Sequence, residues 1–195
     1  PVAITIWRAL SSPTVSPSIT PARTPSPTPL PGAQNFHQWG SITVFNGLPS
    51  DSVRAIAQTP DGVMWFGTDN GLARFDGRRV QNFSIGDGGY VNALKTAASG
   101  ELWIGTRNGA YVYSSNQFNA VDGMQGVGVT TILVGAETIL GTDTGQLLRP
   151  QIENGMLKAE SLISEPIKSE DRSPLAITSL VQRGGEILAG TSGRG

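Results

Sequence analysis

Two neighbouring stretches decide the fold: Phe45-Asn-Gly-Leu-Pro-Ser-Asp-Ser-Val53-Arg-Ala-Ile56, and Asp61-Gly62-Val-Met-Trp65-Phe-Gly67-Thr68-Asp69-Asn70-Gly71-Leu-Ala-Arg-Phe75. Moved 38 residues along the chain, they meet a second copy of themselves. Val53 falls on Val91, Ala55 on Ala93 and Ile56 on Leu94. Trp65 falls on Trp103, Gly67 on Gly105, Thr68 on Thr106, Asn70 on Asn108 and Phe75 on Tyr113. A further shift of 38 carries Val91 to Val129 and Leu94 to Ile132; after a two-residue deletion, Gly141-Thr142 and Gly145 restore the pattern. A fourth copy runs from Ile177 to Gly190-Thr191. A fixed period is the mark of a repeat architecture, and it outranks any local reading.

Within one unit the residues predict four short strands. Val53–Gln58 is β-branched and small; Pro60-Asp61-Gly62 is a turn, because proline presets φ and glycine accepts a positive φ. Val63–Thr68 is a second strand, Asp69-Asn70-Gly71 a hairpin turn, Leu72–Phe75 a third strand and Val80–Ser84 a fourth. No segment holds helical apolar spacing over ten or more residues. Four antiparallel strands per unit of about 40 residues is the period of a propeller blade. The predicted class is therefore an all-β fold, a β-propeller, here three to four four-stranded blades of a larger ring. One small sheet cannot bury both faces alone, so blades must stack. Trp65 and Trp103 are expected to fill the gaps between blades, where Gly67 and Gly105 let backbones approach.

Gln38–Phe45 aligns with a fourth strand, since Phe45 matches Phe83, and is expected to complete the last blade and close the ring. The spacing from Gly141 to Gly190 lengthens to 49 residues. The extra length, Gln151 to Ser173, is read as an extended outer hairpin or a surface loop.

The repeat phrase, from Gly47-Leu-Pro-Ser-Asp-Ser-Val53 through Trp65-Phe-Gly-Thr68-Asp-Asn-Gly71-Leu72-Ala-Arg-Phe75, resembles the two-component regulator propeller repeat. Gly100-Glu-Leu-Trp-Ile-Gly-Thr106-Arg-Asn-Gly109 resembles it nearly as well. Ile139-Leu-Gly-Thr142 and Leu188-Ala-Gly-Thr191 are degenerate copies without the tryptophan. The resemblance covers residues 38 to 195. It implies the ligand-sensing propeller of a bacterial two-component-type signalling protein, periplasmic or extracellular and membrane-tethered. Any kinase or cyclase activity would lie outside these residues. The alternative is a secreted or surface scaffold that binds another protein without signalling output. A third reading, a propeller lyase or glycanase, needs clustered catalytic residues that the visible repeats lack.

Upstream of the repeats, residues 1–12 read as an apolar stub, either the end of a signal or membrane segment or an unremarkable apolar run. Residues 13–35 hold seven prolines between Pro13 and Pro31 among Ser and Thr, and so read as an extended stalk rather than sheet or helix. Both ends of the chain, from Pro1 to Gly195, look like cuts. The propeller is assigned to residues 36–195, and alone it is expected to expose sheet faces and aggregate.

Composition narrows the chemistry. A net charge of −1 supplies no electrostatic pull toward nucleic acid. The chain has no cysteine, so disulfides and thiolate metal sites are excluded. The single histidine, His37, cannot build a triad or a multi-histidine zinc site. Gly86-Asp-Gly-Gly89 lacks the Lys-Ser/Thr of a phosphate loop and reads as a turn. Asp61, Asp69, Asp76, Asp87 and Asp143 recur with the repeat at turns, which explains them without calcium. Asn82-Phe-Ser84 is a formal glycosylation sequon of no consequence in a bacterial strand. No catalytic residue, metal or cofactor is expected. The expected partners are a small molecule or glycan, or else a protein. The candidate binding residues are the repeat-equivalent polar positions Asp69, Asn70, Arg107, Asn108, Asp143 and Thr144 at the turns, with Arg54, Asn92 and Thr130 beside the inner strand. Asn70 and Asn108 have a competing reading as turn residues that accept left-handed geometry.

Overall fold

The alternation read from the sequence becomes sheet almost throughout. The computed structural model describes residues 4–5, 41–86, 89–153 and 155–193. A two-residue strand, β1 (Ile4–Thr5), comes first in the chain. Blade 1 contains β2 (Val53–Gln58), β3 (Met64–Thr68), β4 (Gly71–Phe75) and β5 (Val80–Phe83). Blade 2 contains β6 (Val91–Thr96), β7 (Leu102–Thr106), β8 (Gly109–Ser114) and β9 (Gln117–Ala120). Blade 3 contains β10 (Val129–Val134), β11 (Thr138–Thr142), β12 (Leu147–Glu153) and β13 (Met156–Ser161). β14 (Ile177–Arg183) and β15 (Glu186–Thr191) begin a fourth sheet, with β1 parallel to β15. Blades 1 to 3 are antiparallel meanders in chain order. Among the described residues no helix is long and apolar enough to cross a membrane.

The inner strands β2, β6, β10 and β14 are neighbours in that order, which is the radial stacking of a propeller. Stacking makes three separate cores rather than one. Trp65 lies with Leu72, Val91, Leu94, Leu102 and Ile104 between blades 1 and 2. Trp103 lies with Val129, Ile132 and Leu140 between blades 2 and 3. Ile139 takes the tryptophan's place between blades 3 and 4, with Ile177, Ile187 and Ala189. Outward of Trp65, three rings continue the first joint: Tyr113 at 4.9 Å and Phe83 at 5.8 Å from the indole, and Phe118 at 4.7 Å from Tyr113.

The glycine of each unit explains how close the sheets come. A Cβ on Gly67 would lie 2.6 Å from Cγ1 of Val91, one on Gly105 2.7 Å from Cγ1 of Val129, and one on Gly141 2.8 Å from Cγ2 of Ile177. Each glycine is thus a socket for the β-branched side chain that opens the next inner strand.

The leading strand expected over Gln38–Phe45 is not formed at its described end. Ser41–Thr43 carry no strand and Val44–Asn46 form a 3-10 turn. Local capping wins over strand propensity here. Thr43 Oγ1 accepts from the Phe45 amide, Asn46 Oδ1 accepts from the Thr43 amide at 3.0 Å, and Gly47 closes the turn at φ 105°. Phe45 is 97% exposed and so does not repeat the packing of Phe83. Gln38–Gly40, His37, the stalk and most of the apolar stub lie outside the described residues.

The long insertion is both of the things expected of it. β12 and β13 form an outer hairpin paired from Leu148↔Ser161 to Glu153↔Met156. The chain then returns as a loop that docks on the Gly145 turn, with the Ile167 amide donating to Gly145 O at 2.8 Å. Leu162, Ile163 and Ile167 pack against the third core.

Candidate functional site

The four inner strands share one irregularity. Each carries a β-bulge just after its first residue: at Val53/Ala55, Val91/Ala93, Val129/Thr131 and Ile177/Ser179. A bulge re-aims the extra side chain. The residues so placed are Arg54, Asn92, Thr130 and Thr178, so three of the polar positions singled out from sequence are bulge positions.

Two of the three are used for joining blades. Asn92 Nδ2 donates to the Val129 carbonyl at 3.2 Å, and Thr130 Oγ1 donates to the equivalent Ile177 carbonyl of the next blade. Arg54 departs from this pattern. It pairs with the Asp69 carboxylate and lies over the Tyr90 ring, 4.9 Å from its centroid.

The hairpin turns show a parallel division of labour. The threonine of each of the first three units is buried and clamps its own turn. Thr68 Oγ1 donates to Gly71 O at 2.9 Å and accepts from the Asn70 amide at 3.2 Å; Thr106 does the same with Gly109 O and the Asn108 amide, at 2.9 and 3.1 Å. Thr142 reaches the Gln146 carbonyl and amide instead, and Thr144 lies 3.0 Å from it. The residue after each threonine ties the turn to the segment before the inner strand: Asp69 N to Ser52 O, Arg107 N to Tyr90 O and Asp143 N to Gly128 O. The Asp143 carboxylate also accepts from the Gly128 amide at 3.1 Å. Asn70 Nδ2 donates to Pro49 O at 3.4 Å, and Asn108 Oδ1 accepts from the Gly126 amide.

The candidates are therefore not equivalent. Asn92, Thr130, Thr144 and Asp143 serve the scaffold, and Asn70 ties its turn to Pro49. Arg54, Asp69 and Arg107 come together with Tyr90 where blades 1 and 2 meet. The Arg107 guanidinium lies 4.1 Å from the Tyr90 centroid. Among the described residues no carboxylate pairs with it. Arg54, by contrast, is neutralised by Asp69. Beside Arg107 opens a cleft of about 320 Å³, lined by Ile85, Gly86, Gly89, Thr106, Asn108 and Tyr111. Its wall is mostly apolar, and Arg107, Asn108 and the Tyr111 hydroxyl are among its polar groups.

Tyr90 and Tyr111 were missed from sequence. Neither is repeated at its equivalent positions, and a search for repeat-equivalent polar residues passes over single insertions. The signal available was the glycine-rich run Gly86-Asp-Gly-Gly89, which stands in the sequence between two repeat units. Asp87 lies outside the described residues.

With this geometry in place, the comparisons bear on its class. The fold is a β-propeller. The model of the two component regulator propeller family matches residues 47–70, the first full repeat phrase. Among solved structures, the extracellular domains of two hybrid two component systems of B. thetaiotaomicron superpose with TM-scores of 0.58 and 0.57, at 23% and 14% identity. They match over 72% and 75% of this chain but only 20% and 21% of their own length, so the chain spans about a fifth of these structures. The computationally designed Ika4 protein matches with a TM-score of 0.51 at 18% identity, over 72% of this chain and 85% of its own. Comparison with curated proteins finds no match to the chain.

Proposed function

We propose that this propeller is the extracytoplasmic, ligand-sensing part of a bacterial two-component-type signalling protein. The ligand is a small molecule or glycan held in the cleft beside Arg107, between the connector after blade 1 and the strands of blade 2. One observation carries the reading: the Arg107 guanidinium, which pairs with no carboxylate among the described residues, stacks on Tyr90 and lines a cleft that Tyr111 also lines. Aromatic faces and a planar multi-donor cation suit a ring bearing hydroxyl or carboxylate groups. The repeat at 47–70 and the likeness to extracellular domains of two-component systems support the class and the location. The domain binds and performs no chemistry of its own, and the output lies in a separate domain joined through a membrane tether.

The test is a thermal-shift screen of mono- and oligosaccharides and small carboxylates, followed by titration of Arg107→Ala. A ligand of this cleft should lose about tenfold or more in affinity in the variant, a change of about 1.4 kcal/mol. A ligand that binds wild type and variant equally would place the sensing surface elsewhere.

A second reading, a protein-binding scaffold, has its own observation. The outer hairpin of blade 3 exposes Ile152 and Met156 beside a groove of about 780 Å³ that runs past Trp103 and Phe118. A partner bound there would be unaffected by Arg107→Ala and weakened by Met156→Glu.

A further inference from the structure

The first two joints keep the same tryptophan but not the same company around it. Between blades 1 and 2, Trp65 continues outward into three rings, Phe83, Tyr113 and Phe118. The strand register gives their counterparts one joint further on. Ile104 pairs with Tyr111; Leu140, which likewise precedes its unit's glycine, pairs with Leu148. Two residues along, Tyr113 therefore corresponds to Pro150, and their cross-strand partners are Phe118 and Ala159. Phe83 corresponds to Val121 through the 38-residue repeat. Around Trp103, a valine, a proline and an alanine thus stand where three aromatic rings extend the core of Trp65.

Blade 3 does not fill the space so lost. Its outer hairpin reaches further out instead: β12 and β13 have seven and six residues, against six and four in β8 and β9. What remains is the groove of about 780 Å³ between the two blades, with Trp103 and Val112 on one side and Pro150, Ile152 and Leu157 on the other. Ile152 is 77% exposed and Met156, which also lines the groove, 58%. Large apolar side chains left open along a concave surface mark a place of interaction. The charge there has one sign. Glu101 and Asp122 line the groove and form no ion pair among the described residues, and no basic residue is among its described lining. Lys158, which bridges to Asp122 through the backbone, gives its ammonium to Glu153 at 2.7 Å.

We propose that this groove docks an extended segment of a partner protein that presents an aromatic side chain next to lysine or arginine. The chain itself shows what fits, since rings are what its own sequence supplies at the equivalent place one joint earlier. The partner's ring enters over Pro150 beside Trp103, and its basic group meets Glu101 and Asp122. Aromatic residues and arginine are also the side chains that most often anchor an interface. The proposal rests on the second reading above, the protein-binding face, whose partner it names by chemistry; it does not depend on the cleft beside Arg107.

The experiment titrates the 195-residue chain into a fluorescein-labelled peptide, Gly-Lys-Trp-Lys-Phe-Lys-Gly, and reads fluorescence anisotropy. Two comparison peptides carry leucine in place of both rings, or glutamate in place of the lysines. The aromatic basic peptide should bind about tenfold or more tighter than either. Ile152→Glu changes an exposed side chain, so its melting curve should match wild type, and it should weaken the peptide about tenfold because a carboxylate cannot be buried unpaired. Glu101→Lys should weaken it too and narrow the preference over the glutamate peptide. A leucine peptide bound as tightly, and lost equally in Ile152→Glu, overturns the aromatic partner while leaving a docking face. Binding that neither substitution changes overturns the proposal and that face together. Absence of binding by the aromatic basic peptide overturns the proposal.

Discussion

The threonine of each Trp-x-Gly-Thr phrase holds a turn rather than a ligand. Thr68 is fully buried, and its hydroxyl is bonded as both donor and acceptor. Thr68→Val keeps the shape and strands the Gly71 carbonyl and the Asn70 amide. The expected cost is about 1–3 kcal/mol in urea unfolding, with an unchanged slope. Asp61 makes a smaller contribution that depends on pH. Its carboxylate accepts from Thr59 Oγ1 at 2.5 Å and from the Val63 amide at 3.4 Å, and the Thr59 bond foremost holds its pKa below the ordinary 3.8. A carboxyl depressed in the folded state stabilises above its unfolded pKa, and that support is lost as pH falls through the folded value. Asp61→Asn should therefore flatten the acid limb of the stability curve below about pH 3.8 and leave its shape near neutrality unchanged. Stability curves that stay parallel down to acid pH would count against this bond.

The joint between blades is the recurring unit of energy at the scale of elements. Its geometry makes a sharp double-mutant prediction. Gly67→Ala sets a methyl 2.6 Å from Val91 Cγ1, so the sheets must part or Val91 must leave its rotamer, at about 1–3 kcal/mol. Val91→Ala alone opens a hole at a fully buried site and is also destabilising. Together they should cost less than the sum, measured by chemical denaturation of all four proteins. Strict additivity would mean that the socket does not exist. This joint was legible in the sequence because Trp65, Gly67 and Val91 recur at fixed spacing, and each residue type has one physical reason to be there. Strand boundaries followed from the same turns to within a residue or so. The 3-10 turn at Val44–Asn46 was not legible, because Phe45 matches Phe83 in identity while Thr43, Asn46 and Gly47 decide the local conformation. The site was half legible. Repeat comparison found Arg54, Asp69 and Arg107, but also Asn92 and Asp143, whose partners are backbone groups that no side-chain pattern announces. Tyr90 went unseen because it does not repeat.

Across the whole molecule, three similar cores in a row replace a single centre. Stability in such an array approximates a sum of blade terms and joint terms, and a lesion in one joint should stay local. The return loop after β13 ties blade 3 to blade 4 through Gly145 and Ile167, which gives the third joint a support that compensates for a missing tryptophan. The cleft beside Arg107 is built from the connector after blade 1 and from blade 2, so it belongs to the first joint.

The direction in which Trp65 and Trp103 point has a consequence for synthesis. Each faces the blade that follows it in the chain. As the polypeptide leaves the ribosome, every finished sheet carries its largest apolar side chain on the side still waiting for sequence. The next inner strand, some 25 residues downstream of that tryptophan, is the first segment able to cover it. The nascent protein therefore grows with a perpetually adhesive leading face. Chaperone engagement should be greatest for a translational pause that leaves Trp65 or Trp103 outside the ribosomal exit tunnel and the following inner strand still inside it, and should fall once Val91 or Val129 has emerged.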